Sequence, residues 1–364
     1  MNIRTTWTSR DRVLAWSLSE RLSNRQIRSL IDAGLAEDAV EVASDATLFE
    51  VAGIKPALAR FVRSATRLAP LMRAVALASP RTTALVDSDY PAMLRRSSDP
   101  PVRLFVDGDR TLLSRPAVAV VGSRRATPYG GNVAARIARE LASAGVVVVS
   151  GLARGIDTAA HAAALDAGGA TIAVLGTGID IAYPRSNRGL QERVAERGLI
   201  LSELVDGTAP RPQNFPVRNR IIAGLSLGVV VIEAGERSGS LITARLAAEE
   251  GREVFAVPGS IFSPATTGTH RLIQDGAKLL HDLDDLWEEL PALRPPGASQ
   301  TAPAPPSEPA LAALWSRVPS DEAIHPDFLT DEATPLPRVL ELLLALEVAG
   351  LVRRLGGGRY VRRE

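Results

Sequence analysis

Several short segments gather hydroxyls, glycines, amides and guanidinium groups, the donors that hold an anion. Gly122-Ser123-Arg124 follows the apolar run Ala117–Val121 and precedes a helical pattern, so its amides and Arg124 face an incoming anion where a helix dipole also favours negative charge. Ser150-Gly151-Leu152-Ala153-Arg154-Gly155-Ile156-Asp157 repeats the layout, with Asp157 placed to cap the next helix and His161 one turn inside it. No acid or base accompanies His161 in the sequence, which points to packing rather than catalysis. Tyr183-Pro184-Arg185 sets a guanidinium just before a helix start, and Ser238-Gly239-Ser240 with Thr243 brings hydroxyls and free amides to another. Between them, Pro210 to Ser226 carries Arg211, Arg218, Asn219, Arg220 and Phe215 without a carboxylate. Cations with an aromatic on a polar loop are what a single-stranded nucleic acid requires.

Other chemistries are disfavoured. The chain has no cysteine, and His161, His270, His281 and His325 are too scattered to hold a metal. Gly176-Thr177-Gly178 would need a glycine at Ile181 to make a dinucleotide fingerprint, so no cofactor is expected. With 42 basic and 41 acidic residues the net charge of +1 leaves any phosphate affinity to local patches. No apolar run reaches membrane-spanning length and the start lacks a secretory pattern, so a cytoplasmic protein without membrane contact is expected.

The elements that must position these groups alternate. Strands are expected at 117–122, 146–150, 171–176, 199–203, 228–233 and 253–257, with an extra one at 102–106. Helices at 130–144, 156–167, 187–197, 217–225 and 240–250 separate them. This is the α/β pattern of an extended Rossmann-like, doubly wound, mostly parallel sheet, whose ligands sit beyond the carboxyl ends of the strands. Residues 1–80 read as a helical domain of SAM or helix-hairpin-helix type, its turn at Gly53-Ile54-Lys55, though the second glycine of the hairpin motif is missing. The core is expected over 81–290, a Pro/Ala-rich linker over 291–309, and over 310–364 a winged helix with a glycine stop at Gly350 and an arginine-bearing wing.

Together, Val121-Gly122-Ser123-Arg124, Ser150 to Asp157, Tyr183-Pro184-Arg185, Phe215-Pro216-Val217-Arg218-Asn219-Arg220-Ile221-Ile222 and Arg237 to Thr243 resemble the DNA-processing protein A family. The resemblance implies a homodimer that binds single-stranded DNA without catalysis and helps load the RecA recombinase in natural transformation and repair. Duplex DNA could reach the C-terminal domain. Carried onto this chain, the DNA site comprises Gly122, Ser123, Arg124, Arg154, Arg185, Phe215, Arg218, Asn219, Arg220, Ser238, Gly239, Ser240 and Thr243. Arg185 stands where the family often has lysine, and Thr267-Gly268-Thr269-His270 departs from its usual pattern there. The competing reading is a phosphoribohydrolase-like enzyme on a related fold, which would need a catalytic carboxylate loop where Gly235 to Ser240 stands.

Overall fold

The computed structural model describes residues 7–295, 306, 308–320, 323–331, 334–349 and 351–362. Residues up to Arg294 form one compact unit and those from Pro295 a second.

The first unit opens with helices α1 (Ser9–Leu18), α2 (Asn24–Asp32), α3 (Ala39–Val42), α4 (Asp45–Ala52), α5 (Pro56–Ser64) and α6 (Ala69–Ala78). Capping boxes start two of them: Thr8 with Asp11 on α1, and Ser23 with Gln26 on α2. Helix α4 stops at Gly53, whose φ of 62° a side chain would strain. Trp16 is buried among Val13, Ile27, Leu30 and Leu48 and donates its indole N–H to the Val62 carbonyl (3.1 Å). This core also takes in Ala84 and Val102 from beyond residue 80, and Arg10–Asp87 (2.7 Å) and Arg28–Asp99 (2.9 Å) pair across the same junction.

A nine-stranded sheet follows, made of β1 (Thr82–Ala84), β2 (Arg103–Gly108), β3 (Ala117–Val121), β4 (Val147–Ser150), β5 (Thr171–Val174), β6 (Leu199–Ser202), β7 (Gly228–Val231), β8 (Glu253–Ala256) and β9 (Lys278–Leu279). Its order is β1-β2-β6-β5-β4-β3-β7-β8-β9, antiparallel only at β1–β2 and β2–β6. The three-residue β1 and two-residue β9 at its edges carry too little apolar pattern to stand out in the sequence. Between strands run α7 (Ala92–Arg95), α8 (Pro128–Ser143), α9 (Ile156–Asp166), α10 (Arg188–Arg197), α11 (Asn214–Leu225), α12 (Gly239–Glu249) and α13 (Thr267–Gln274), and α14 (Leu283–Glu289) closes the unit. Alternation in β3 serves both faces. Val118 and Val120 pack on Ala134, Ile137 and Leu141 of α8, while Ala119 and Val121 join the cluster holding Ile221 and Ile222 of α11 and Ala244 of α12.

The chain winds from β3 outward to β6, returns through α11 and lays β7 on the other side of β3. The carboxyl ends of β3 and β7 therefore flank the point where strand order reverses, the crevice such sheets use for ligands. Helix α11 begins three residues earlier than expected. Pro216 lies in its first turn, where the missing N–H would have no helical partner, so it does not break the helix. Phe215 is thus a helix residue rather than a loop residue.

In the second unit, α15 (Pro309–Arg317), a 3-10 turn (Pro326–Leu329) and α16 (Leu336–Val348) pack around Leu314, Val339, Leu343 and Leu346. The hairpin of β10 (Val352–Arg354) and β11 (Tyr360–Arg362) completes it, with Ile324 bridging to Tyr360. Gly350, and most of the expected linker at 296–305 and 307, lie outside the described residues.

Candidate nucleic-acid interface

The turn after β3 is built to close tolerances. A Cβ on Gly122 would lie 2.6 Å from the Ile156 side chain and 3.0 Å from the Glu233 carbonyl oxygen, so the backbone can pass only as glycine. The Ser123 hydroxyl accepts from the Arg125 amide (3.1 Å), and the Ser123 carbonyl accepts from the Ile156 amide (3.2 Å), tying this turn to the start of α9. Thr127 caps α8 and is itself held by Glu233, whose carboxylate accepts from the Thr127 amide (2.9 Å) and hydroxyl. Glu233, buried at the end of β7, was not among the expected site residues. It secures the wall of the site without facing into it.

The loop after β4 corrects one expectation. Gly155, not Asp157, is the residue preceding α9, and Asp157 instead accepts from the amides of Gly151 (3.2 Å) and Ala153 (3.3 Å). Burial pushes the Asp157 carboxyl upward, opposed by the nearby Arg218 guanidinium. His161 packs, as its surroundings in the sequence imply. Thr171 donates its hydroxyl proton to the Val148 carbonyl, so His161 Nδ1–H donates to Thr171 Oγ1 (2.7 Å), and Nε2 accepts from the Leu152 amide (3.3 Å). Burial, then the charge of Arg218, lower its pKa to about 3, leaving a neutral imidazole.

Helix α11 supplies the floor. Arg218 is 7% exposed and donates to the carbonyls of Gly151 and Val174, the ends of β4 and β5. Burial lowers its pKa to about 10, with Asp157 acting against the shift. Asn219 donates to the Gly239 carbonyl (3.2 Å), fastening α11 to the first turn of α12. There Ser238 is the N-cap, with Ser238 Oγ and Ser240 Oγ 2.7 Å apart.

These parts enclose a cleft of about 980 Å³. Among the expected residues, Gly122, Ser123, Arg124, Phe215, Arg218, Asn219, Ser238, Gly239, Ser240 and Thr243 line it. Arg154 and Arg185 are exposed outside it. Arg220 also lies outside, paired with Glu203 (2.8 Å) and Asp99 (3.0 Å); two residues along a 3.6-residue helix turn it away from the direction of Arg218. Arg125, Arg237 and Tyr183, which stand in or beside the sequence motifs but are not among the expected site residues, also line the cleft. Periodicity could not reveal Tyr183, because its neighbour arrives from α11: its ring lies 5.3 Å from that of Phe215 at 34°. The Arg124 guanidinium sits 5.1 Å from the Phe215 ring centroid. The ion pairs of the described residues engage other arginines, and none involves Arg124, Arg125 or Arg237.

An aromatic pair beside unpaired guanidinium groups, at the reversal point of a doubly wound sheet, is chemistry that suits an anion carrying flat rings. Residues 81–291 match the family model described as DNA recombination-mediator protein A, and the chain belongs to that family. It is 51% identical over 205 residues to the DNA processing protein DprA of Streptococcus pneumoniae, covering 56% of this chain and 72% of that protein. It is 42% identical over 280 residues to the Smf protein of Escherichia coli, 75% of each chain. Among solved structures, the X-ray structure of the S. pneumoniae DprA aligns with TM-score 0.69 at 39% identity, covering 78% of this chain and 99% of that one. A Helicobacter pylori DNA processing protein A structure, described in terms of its single-stranded DNA binding mode, aligns with TM-score 0.53 at 33% identity over 59% of this chain and 97% of that one. Among the described residues, no helix is long and apolar enough to cross a membrane, and no cluster of His, Cys, Asp and Glu could hold a metal.

Proposed function

We propose that this chain binds single-stranded DNA in the cleft between the ends of β3 and β7 and, as a cytoplasmic homodimer, protects incoming strands and helps load RecA recombinase on them. The action is binding, without catalysis or cofactor. The observation that carries this reading is the stack of Arg124 on Phe215 beside Tyr183, on a wall where Arg125 and Arg237 are also unpaired. Phosphates find guanidinium groups and bases find ring faces in one groove, the combination sequence-tolerant single-strand binding needs. Membership of a recombination-mediator family and the strand-binding mode described for the H. pylori relative support it. The C-terminal unit is proposed as a winged helix that contacts duplex DNA or protein.

Titrating a labelled oligothymidylate at several salt concentrations tests the reading. Arg124→Ala should weaken binding and flatten the salt dependence by about 0.7 for one phosphate contact on a single strand. Equal affinity and slope in the variant, or measurable release of base from adenosine monophosphate by the native chain, would overturn it.

A further inference from the structure

The segment joining β8 to α13 presents the most exposed aromatic among the described residues. Phe262 is 91% exposed and Ile261 80% exposed. The loop beneath them is not loose. The Ser263 amide donates to the Ser260 carbonyl (3.0 Å), forming a turn with Ile261 and Phe262 at its tip. Thr266 Oγ1 ties both ends of that turn, its one proton shared between the carbonyls of Ser260 (2.7 Å) and Ser263 (3.0 Å). Gly259 before the turn meets His270 Nε2 at its carbonyl (3.1 Å), and Tyr129 from α8 donates its hydroxyl to the Pro258 carbonyl (2.9 Å). A frame that holds two apolar side chains in water, against the usual gain from burying them, positions them for something that arrives.

What arrives is indicated by where the loop leads. Pro264 and Ala265, immediately after the tip, line the same cleft as Arg124 and Phe215. We propose that Phe262, backed by Ile261, is a second base-stacking platform at the rim of the cleft, taking a nucleobase of the same strand as it leaves past α12. This rests on the single-strand reading above and extends it. It gives the chain two aromatic stations: one inside the groove at Phe215 and Tyr183, and one outside at Phe262.

A length series separates the inference from its parent. Oligothymidylates lengthened one nucleotide at a time are titrated into the full chain and into Phe262→Ala, Phe262→Tyr and Ile261→Ala. The native chain should gain affinity in steps, and Phe262→Ala should miss the step at which the strand reaches the rim, a loss of about tenfold confined to longer oligomers. Phe262→Tyr should restore that step, and the salt slope should be the same in all four. Coincident native and Phe262→Ala curves at every length would overturn the platform while leaving the cleft reading intact. A native chain that binds no oligomer of any length would sink both. If Phe262→Ala instead lowers the sedimenting mass and leaves affinity per chain unchanged, the tip is a contact between copies and the platform is refuted.

Discussion

Replacing Phe215 with alanine removes the ring on which the proposed recognition of bases depends, and its surroundings set the expected size of the effect. In the free protein the Arg124 guanidinium occupies the ring, 5.1 Å from its centroid. A base that stacks there must displace it, forfeiting a partly exposed cation–π contact worth about 0.5–1 kcal/mol. Base stacking returns about 1–3 kcal/mol. The net contribution of the ring is therefore between about 0 and 2.5 kcal/mol and centred near about 1.25, so Phe215→Ala should weaken single-strand binding by about eightfold, and at most about 70-fold. The loss should be similar for oligothymidylate and oligoadenylate, since every base offers a face, and the salt slope should not change, since no phosphate contact is removed. Phe215→Trp should keep the affinity, and its added indole should be quenched as the strand binds. Fluorescence anisotropy with both homopolymers, alongside a melting curve for each variant, is the assay. A lowered melting temperature with native affinity would refute the argument and make Phe215 only an anchor for the start of α11.

Gly176→Ala perturbs the same ring from behind: the new Cβ would lie 2.7 Å from Phe215 Cδ1, so the ring must shift, and affinity should fall severalfold with an unchanged salt slope; native affinity would mean the ring's position is unimportant. His161 tests the buried network beneath the cleft. Its imidazole stays neutral in the fold, with its pKa lowered from 6.5 to about 3, so the unfolded chain takes up a proton that the folded one does not. Its contribution is complete above the unfolded pKa and is lost as pH falls toward the folded one, at about 1.4 kcal/mol per pH unit. His161→Gln should therefore show a shallower loss of stability with acid than the native chain in chemical denaturation, and equal slopes would refute this. Truncation after Arg294 should leave a cooperatively melting protein that still binds single strands, because the preceding residues form a compact unit of their own; loss of soluble protein would refute the boundary.

The parallel strands were legible because each is a short apolar run bounded by glycine or a polar turn, and runs such as Val118–Val121 and Val229–Val231 have no rival reading. The convergence of the turn at Gly122 with the loop at Ser238 followed from their places at strand ends, since a doubly wound sheet brings such ends together. Direction within a helix was less legible. Arg218 and Arg220 look equivalent in the sequence, yet one lines the floor of the cleft and the other pairs with Glu203. Nor could sequence alone relate Tyr183 to Phe215, or Glu233 to Thr127, because those contacts depend on the register of strands far apart in the chain.

Arg218 gives the cleft a kind of charge that its neighbours do not. A single strand carries a condensed layer of cations, and a guanidinium group that pairs with one of its phosphates gains affinity largely by setting such a cation free. A cation set into the floor at 7% exposure, its guanidinium already donating to backbone carbonyls, pairs with no phosphate and so displaces none of those cations directly. Its potential still reaches the groove, and salt screens it weakly because little solvent lies between. Such a charge attracts a strand without registering in the dependence of affinity on salt, so the number of phosphates inferred from that dependence will undercount the positive groups that hold the strand in place.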